Sequence, residues 1–212
     1  IPRRGPAWIA LPFGGHVRTI LRELIETAIL ALLIFLALQF SVENFRVEGM
    51  SMDPTLDEGE HLLVNKLVYL RLDPESLARF LPFVDKERTE SLFPFHAPHR
   101  GEVIIFRFPQ DRSHDFVKRV IGLPGEVVEV RAGQVLIDGR PLAEPYITHQ
   151  DPSSMEPFPV PAGSYFVMGD NRRVSNDSRD WGSVPEEDLI GRAWVSYWPL
   201  DRLQILNALS LP

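Results

Sequence analysis

The chain contains no cysteine. That absence excludes disulfide scaffolds, cysteine nucleophiles, Fe–S clusters and thiolate zinc sites, and leaves the redox compartment open. Lysine is almost missing: of 22 basic residues only Lys66, Lys86 and Lys118 are lysines. There is no H-E-x-x-H, G-x-S-x-G, Walker A or S-x-x-K motif, so several common hydrolase chemistries have no local signature here. The six histidines are scattered, and His96 and His99, three apart in a Pro-rich stretch, read as ordinary surface residues. No internal repeat is present. With 212 residues, 44% apolar and 24% charged, the chain is long enough for one ordinary domain and is not of disordered composition. Fourteen glycines and 19 prolines favour many turns and short strands over a helix bundle.

Charge is unevenly distributed. Residues 1–22 hold Arg3, Arg4, Arg18 and Arg22 and no acid, whereas the remaining 190 residues carry a net charge of −11. An acidic body argues against nucleic acid as a partner. After the basic head, residues 27–40 (TAILALLIFLALQF) are uncharged. Fourteen helical residues reach only about 21 Å, short of a hydrocarbon core of about 30 Å. Extending back to Leu21 gives a spanning length and brings in Arg22 and Glu26, which can pair at i,i+4. The alternatives are a buried core helix or a cleaved signal peptide, but Leu38-Gln39-Phe40-Ser41-Val42 is a poor cleavage site. The expectation is a cytoplasmic tail over 1–15, an uncleaved anchor over 16–41, and an extracytoplasmic domain over 42–212. The first residue is Ile, so the chain is expected to be trimmed or a fragment.

Beyond Ser41 short β-branched runs alternate with turn dipeptides. Strands are expected at 44–48, 61–66, 102–108, 116–121, 127–130, 134–137, 164–168 and 193–198, with a hairpin over 126–140. A short helical period falls near 74–81 inside a mixed insertion at 69–99, and residues 143–162, with five prolines, read as an extended loop. The fold class is mainly β, an antiparallel and partly coiled sheet assembly with one N-terminal helix.

Lys118 is the most informative side chain. On a strand it shares a face with Phe116 and Val120, which places an ammonium among apolar groups. A lysine can lose its proton when desolvated; an arginine cannot. The competing reading is an edge-strand lysine exposed to water. Ser51 is equally ambiguous alone, since a serine between Gly49 and Pro54 is commonly a turn residue. Together they suggest a serine nucleophile with a lysine base. Bringing the lysine pKa from about 10.4 to about 8 needs roughly 3 kcal/mol of differential desolvation.

Four ordered blocks, VEGMSMDPTL, RGEVIIF, VKRVIGLPGE and GDNRRVSNDSRDWG, resemble those of bacterial type I signal peptidases. With the anchor the likeness covers residues 20–195, apart from the variable stretches. It implies Ser51 as nucleophile, Lys118 as general base and Ser175 as the hydroxyl orienting the lysine. It also implies Asp177 and Arg179 as a bracing ion pair, and Asp170 and Asn171 as fixing the turn that carries Ser175. Gly49 and Met50 would border the oxyanion site, with Phe45, Val47, Met52, Leu56, Phe116 and Val117 in the substrate cleft. No metal or organic cofactor is implied. The partners would be signal peptides and the bilayer, the chain would act as a monomer, and its membrane would be the bacterial inner one. Two departures stand out. Some members have serine where this chain has Gly49, which leaves the second oxyanion donor open. The usual Arg-Asp-Asn-Ser reads Arg172-Arg173-Val174-Ser175, which is expected to put a positive charge near Lys118. Two other readings are a related Ser–Lys self-cleaving repressor, which lacks its DNA-binding part here, and a non-enzymatic anchored β-domain, which has no need of Lys118.

Overall fold

The computed structural model describes residues 13–69, 96–148 and 151–206. The chain divides into two units, Ile1–Phe40 and Ser41–Pro212. In the first, α1 (Phe13–Ser41) is a single helix of 29 residues, about 43 Å long, more than the uncharged run alone indicates. Among the described residues its apolar side chains between Ile20 and Phe40, such as Leu24, Leu30, Leu33 and Phe35, are exposed. Beyond Glu26 the helix carries no charge and its apolar side chains lie uncovered, which suits a hydrocarbon environment. The Arg22–Glu26 pair forms in its N-terminal half, with Nε 2.7 Å from Oε1.

The second unit is antiparallel β-structure. The larger sheet has the order β1-β2-β11-β3-β4-β9-β10, with β12 paired to β11. Its strands are β1 (Val42–Arg46), β2 (His61–Asn65), β3 (Val103–Phe108), β4 (Asp111–Gly122), β9 (Ser164–Met168), β10 (Val184–Pro185), β11 (Leu189–Trp198) and β12 (Gln204–Ile205). The smaller sheet, β7-β6-β5-β8, holds β5 (Val127–Arg131), β6 (Gln134–Ile137), β7 (Arg140–Pro141) and β8 (Met155–Pro159). Neither order closes on itself, so among the described residues there is no closed barrel.

Alternation along each strand sorts its residues between cores. On β3, Val103 and Ile105 enter one cluster with Val47, Met52, Leu56, Leu62 and Val64, while Ile104 and Phe106 enter another with Tyr69, Val120, Tyr165 and Val167. On β9, Phe166 and Met168 face a third cluster, built with Val128, Val130, Val135 and Ile137 of the small sheet. The 126–140 hairpin is β5–β6, turned at Ala132-Gly133, where both residues have positive φ (47° and 86°).

Some expectations need correction. The first strand lies two residues earlier than expected, at Val42–Arg46, although Val47 still exchanges backbone hydrogen bonds with Glu60 and Gly59. The lysine strand is twice the expected length because β3 supplies partners back to Asp111. The stretch 143–162 is not all loop: Met155–Pro159 pairs with β5, and its prolines are accommodated because β8 is an edge strand. The helical period near 74–81 lies outside the described residues.

Candidate active site

Two strand edges frame a cleft of about 380 Å³. Among the described residues β1 pairs only with β2, so its other edge is open. β4 pairs with β9 only from Arg119 onward, which leaves its earlier edge unpaired on that side. The lining comes from residues 45–51, Leu62, Ile105, residues 115–118, Val174 and Asn176. Phe45, Val47, Gly49, Met50, Phe116 and Val117 therefore lie where the sequence puts them. Met52 and Leu56 do not. Both are fully buried in the core cluster that includes Val47, because the turn after Ser51 directs these two apolar side chains inward.

Ser51 and Lys118, 67 residues apart, meet in this cleft. Lys118 Nζ lies 2.8 Å from Ser51 Oγ and 2.9 Å from the Val117 carbonyl oxygen. The lysine is only 4% exposed, and its ammonium sits 5.2 Å from the centre of the Phe116 ring. Burial lowers its pKa to about 8, against the opposing pull of the Asp177 and Asp170 charges. Burial, not a neighbouring cation, is the main cause of that shift. Arg172 is spent on an ion pair with Glu144, and Arg173 is exposed.

The loop after β9 braces Ser51. Asn171 N–H donates to the Ser51 carbonyl at 3.0 Å. Gly169 is needed at this contact: a Cβ there would lie 2.4 Å from Ser51 O and 2.2 Å from Ser175 Oγ. Asp177 is fully buried and accepts from Gly169 N–H at 3.0 Å, from Arg179 N–H at 3.2 Å and from Arg179 Nε at 2.8 Å. It also caps the short helix α2 (Ser178–Trp181). Asp170 takes a bidentate pair from Arg119, with Nε–Oδ1 at 2.8 Å and Nη2–Oδ2 at 2.6 Å. Ser175 is placed differently from the expectation. Its Oγ is buried with no hydrogen-bond partner, so the bond to Lys118 is not made in this conformation.

Sequence reasoning missed Arg119 as the partner of Asp170, and it missed Val174 and Asn176 as cleft residues. For Arg119 a signal existed: a second cation inside an apolar strand must either be paired or lie at the surface. Gly49 has φ +77° and open space at the position of a Cβ, so the turn, not crowding, calls for glycine. His96, His99 and Glu102 come together elsewhere. There Glu102 already accepts from Tyr69 Oη at 2.5 Å and from Arg192 Nη1 at 3.1 Å.

The family model described as signal peptidase, peptidase S26, matches residues 21–198. The chain is 37% identical over 191 residues to a signal peptidase I of Leptolyngbya laminosa, covering 86% of this chain and 82% of the relative. It is 36% identical over 214 residues to a signal peptidase I of Pseudomonas fluorescens, covering 81% and 70%. Against signal peptidase IB of Staphylococcus aureus strain COL the identity is 29% over 205 residues, covering 88% and 94%. Among solved structures, a signal peptidase I from Enterococcus faecalis V583 aligns with 34% identity and a TM-score of 0.42, over 46% of this chain and 97% of that one.

Proposed function

The chain belongs to the signal peptidase family, peptidase S26, and from that premise we propose that it is a membrane-anchored serine endopeptidase. Its reaction is the removal of signal peptides from exported preproteins. The observation that carries the catalytic assignment is the 2.8 Å contact between Ser51 Oγ and a Lys118 amine that burial brings to a pKa of about 8.

A neutral amine at that distance accepts the Ser51 proton as Oγ attacks the carbonyl carbon of the residue before the scissile bond. The resulting ammonium then donates the proton to the departing amine, which leaves an acyl-serine. Water, deprotonated by the same lysine, releases the signal peptide and restores Ser51. Ser51 N–H is one donor for the oxyanion, and Gly49 offers no side chain as a second. The substrate lies extended in the cleft and pairs with the open edges of β1 and β4. Phe45, Val47, Leu62, Ile105 and Val117 form shallow apolar walls there, suited to small side chains at −1 and −3.

Ser175, Asp177, Arg179, Asp170 and Asn171 support the nucleophile turn. Ser175 is assigned the hydroxyl that orients Lys118, a bond not made in this conformation. The arginines at positions 3, 4, 18 and 22 keep the N-terminus cytoplasmic and the β unit on the extracytoplasmic side of the bacterial inner membrane. The signal peptide and the bilayer are the partners of a chain that acts as a monomer, without nucleic acid.

The test is cleavage of a synthetic preprotein with Ala-x-Ala before the cut, by wild type and by Ser51→Ala. Wild type should cut after the second alanine and Ser51→Ala should not. Cleavage by Ser51→Ala, or none by wild type, would sink the assignment.

A further inference from the structure

A buried charge cluster lies behind the nucleophile turn, and it is closed by a segment outside the four sequence blocks. Glu144 and Tyr146 sit on the connector between β7 and β8. The Glu144 side chain is 9% exposed and pairs with Arg172, itself 3% exposed, through both terminal guanidinium nitrogens. Arg172 Nε in turn donates to the Gly169 carbonyl at 3.0 Å. Tyr146 Oη donates to Glu144 Oε1 at 2.7 Å, and its ring covers the Arg119 guanidinium at 4.1 Å. Arg119 holds Asp170, the next residue of the same turn. The cluster has two guanidiniums, two carboxylates and one phenol, so its formal charges cancel. Farther along the connector, Asp151 meets Arg179 at 3.2 Å.

We propose that Glu144 and Tyr146 are positioning residues for the reaction assigned to Ser51, acting through Arg172 and Arg119 on the Gly169–Asn171 turn. The proposal rests on the peptidase function above. The turn touches the nucleophile directly, since Asn171 N–H holds the Ser51 carbonyl and Gly169 packs on it. Glu144 lies behind that turn and is absent from the cleft lining, so it can set the aim of Ser51 without touching substrate. Loss of the Glu144 charge leaves Arg172 buried beside an amide and frees the Gly169 carbonyl to shift. A displacement of an ångström at a reacting group can cost about a hundredfold in rate.

The experiment measures kcat and KM on the Ala-x-Ala preprotein for full-length wild type, Glu144→Gln, Arg172→Gln, the double variant and Tyr146→Phe. Active serines are counted in each preparation by stoichiometric acylation. Each single glutamine variant should lose roughly ten- to a hundredfold in kcat with KM within about twofold, because the β1 and β4 edges that bind substrate are unaltered. The double variant should be no worse than the poorer single one, since both break the same contact. Tyr146→Phe keeps the ring on Arg119 and loses only the bond to Glu144, so its loss should be several-fold. Rates per active serine within twofold of wild type, multiplicative losses, or losses carried by KM would each overturn the proposal. Should Glu144→Gln not fold, Tyr146→Phe decides, and a wild-type kcat there is the overturning result. A silent wild type would instead bring down the peptidase assignment, and the proposal with it.

Discussion

Lys118 and Arg119 are neighbours on β4, both buried, and their side chains leave the strand in opposite directions. Arg119 has a full set of partners: Asp170 on two nitrogens, the Gly101 carbonyl at 2.8 Å, Thr55 Oγ1 at 3.1 Å and the Tyr146 ring. Among the described residues Lys118 has a hydroxyl and one carbonyl, with no carboxylate in contact. The difference is between a charge held for structure and a charge made easy to lose. A guanidinium never deprotonates in a protein, so a buried one has to be paired. An amine can deprotonate, and withholding a carboxylate while excluding water leaves it a base near neutral pH. One strand thus carries, at two adjacent residues, both the brace and the base of the proposed mechanism.

The largest break of this contrast is to make the two positions alike. Lys118→Arg should lose at least about a thousandfold in kcat/KM, as much as Lys118→Ala, because guanidinium cannot take the serine proton. Measurable turnover by the arginine variant would make Lys118 a charge anchor. In wild type the acid limb of the pH–kcat/KM profile should have its midpoint near 8, with activity rising with pH as the amine becomes neutral. A flat profile between pH 7 and 9 would contradict the lysine base.

Removing the brace should act on stability first. Asp170→Asn leaves Arg119 buried without its counter-charge, and the expected loss is about 3–5 kcal/mol in denaturant unfolding. A loss below about 1 kcal/mol would mean that Gly101, Thr55 and Tyr146 suffice to hold the guanidinium.

The opposite change should sharpen the contrast. Because the folded-state pKa of Lys118 lies below its unfolded value, the folded state is penalised where both forms are protonated, below about pH 8. The penalty is relieved as pH rises from about 8 towards 10.5 and is gone above that. Lys118→Met should therefore stabilise the fold by up to about 3 kcal/mol at pH 7, with the gain vanishing by about pH 10.5. A pH-independent gain would point to simple packing.

The smallest effect belongs to Gly49. At φ +77° a serine pays about 1 kcal/mol in backbone conformation, although its Cβ meets nothing within 4 Å. Gly49→Ser should fold, lose about that much stability and change kcat more than KM, since a hydroxyl there meets charge only in the transition state. Inactivity with unchanged folding would make Gly49 a requirement of the turn and end its link to the oxyanion. Gly49→Val should lose activity by blocking the approach of the substrate strand.

The sequence was most legible where a property is local. The uncharged run over 27–40 announces α1, and period-two alternation announces β3, β5, β6 and β9 to within a residue or so. Ser51 at a Gly/Pro turn and Lys118 in an apolar strand were suspect from residue type alone, and the ordered blocks joined them into one site. The short strands β7, β10 and β12 left no mark, because two-residue pairings are made by whatever chain lies alongside them.

What the tertiary structure decided is mainly which polar group meets which, and which way a turn points its side chains. Met52 and Leu56 read as cleft residues by their nearness to Ser51, yet they belong to the core, since inward and outward are defined only once β2 and β3 are in place. Arg119 meets Asp170 across 51 residues, and Arg172 meets Glu144 across 28. No local pattern encodes such pairings. They follow from the burial of opposite charges that must find each other once folding removes their water. The sequence by itself determined the chemistry available, a lysine in an apolar strand and a serine at a turn; only the fold brought them to 2.8 Å and took the charge-stabilising water away.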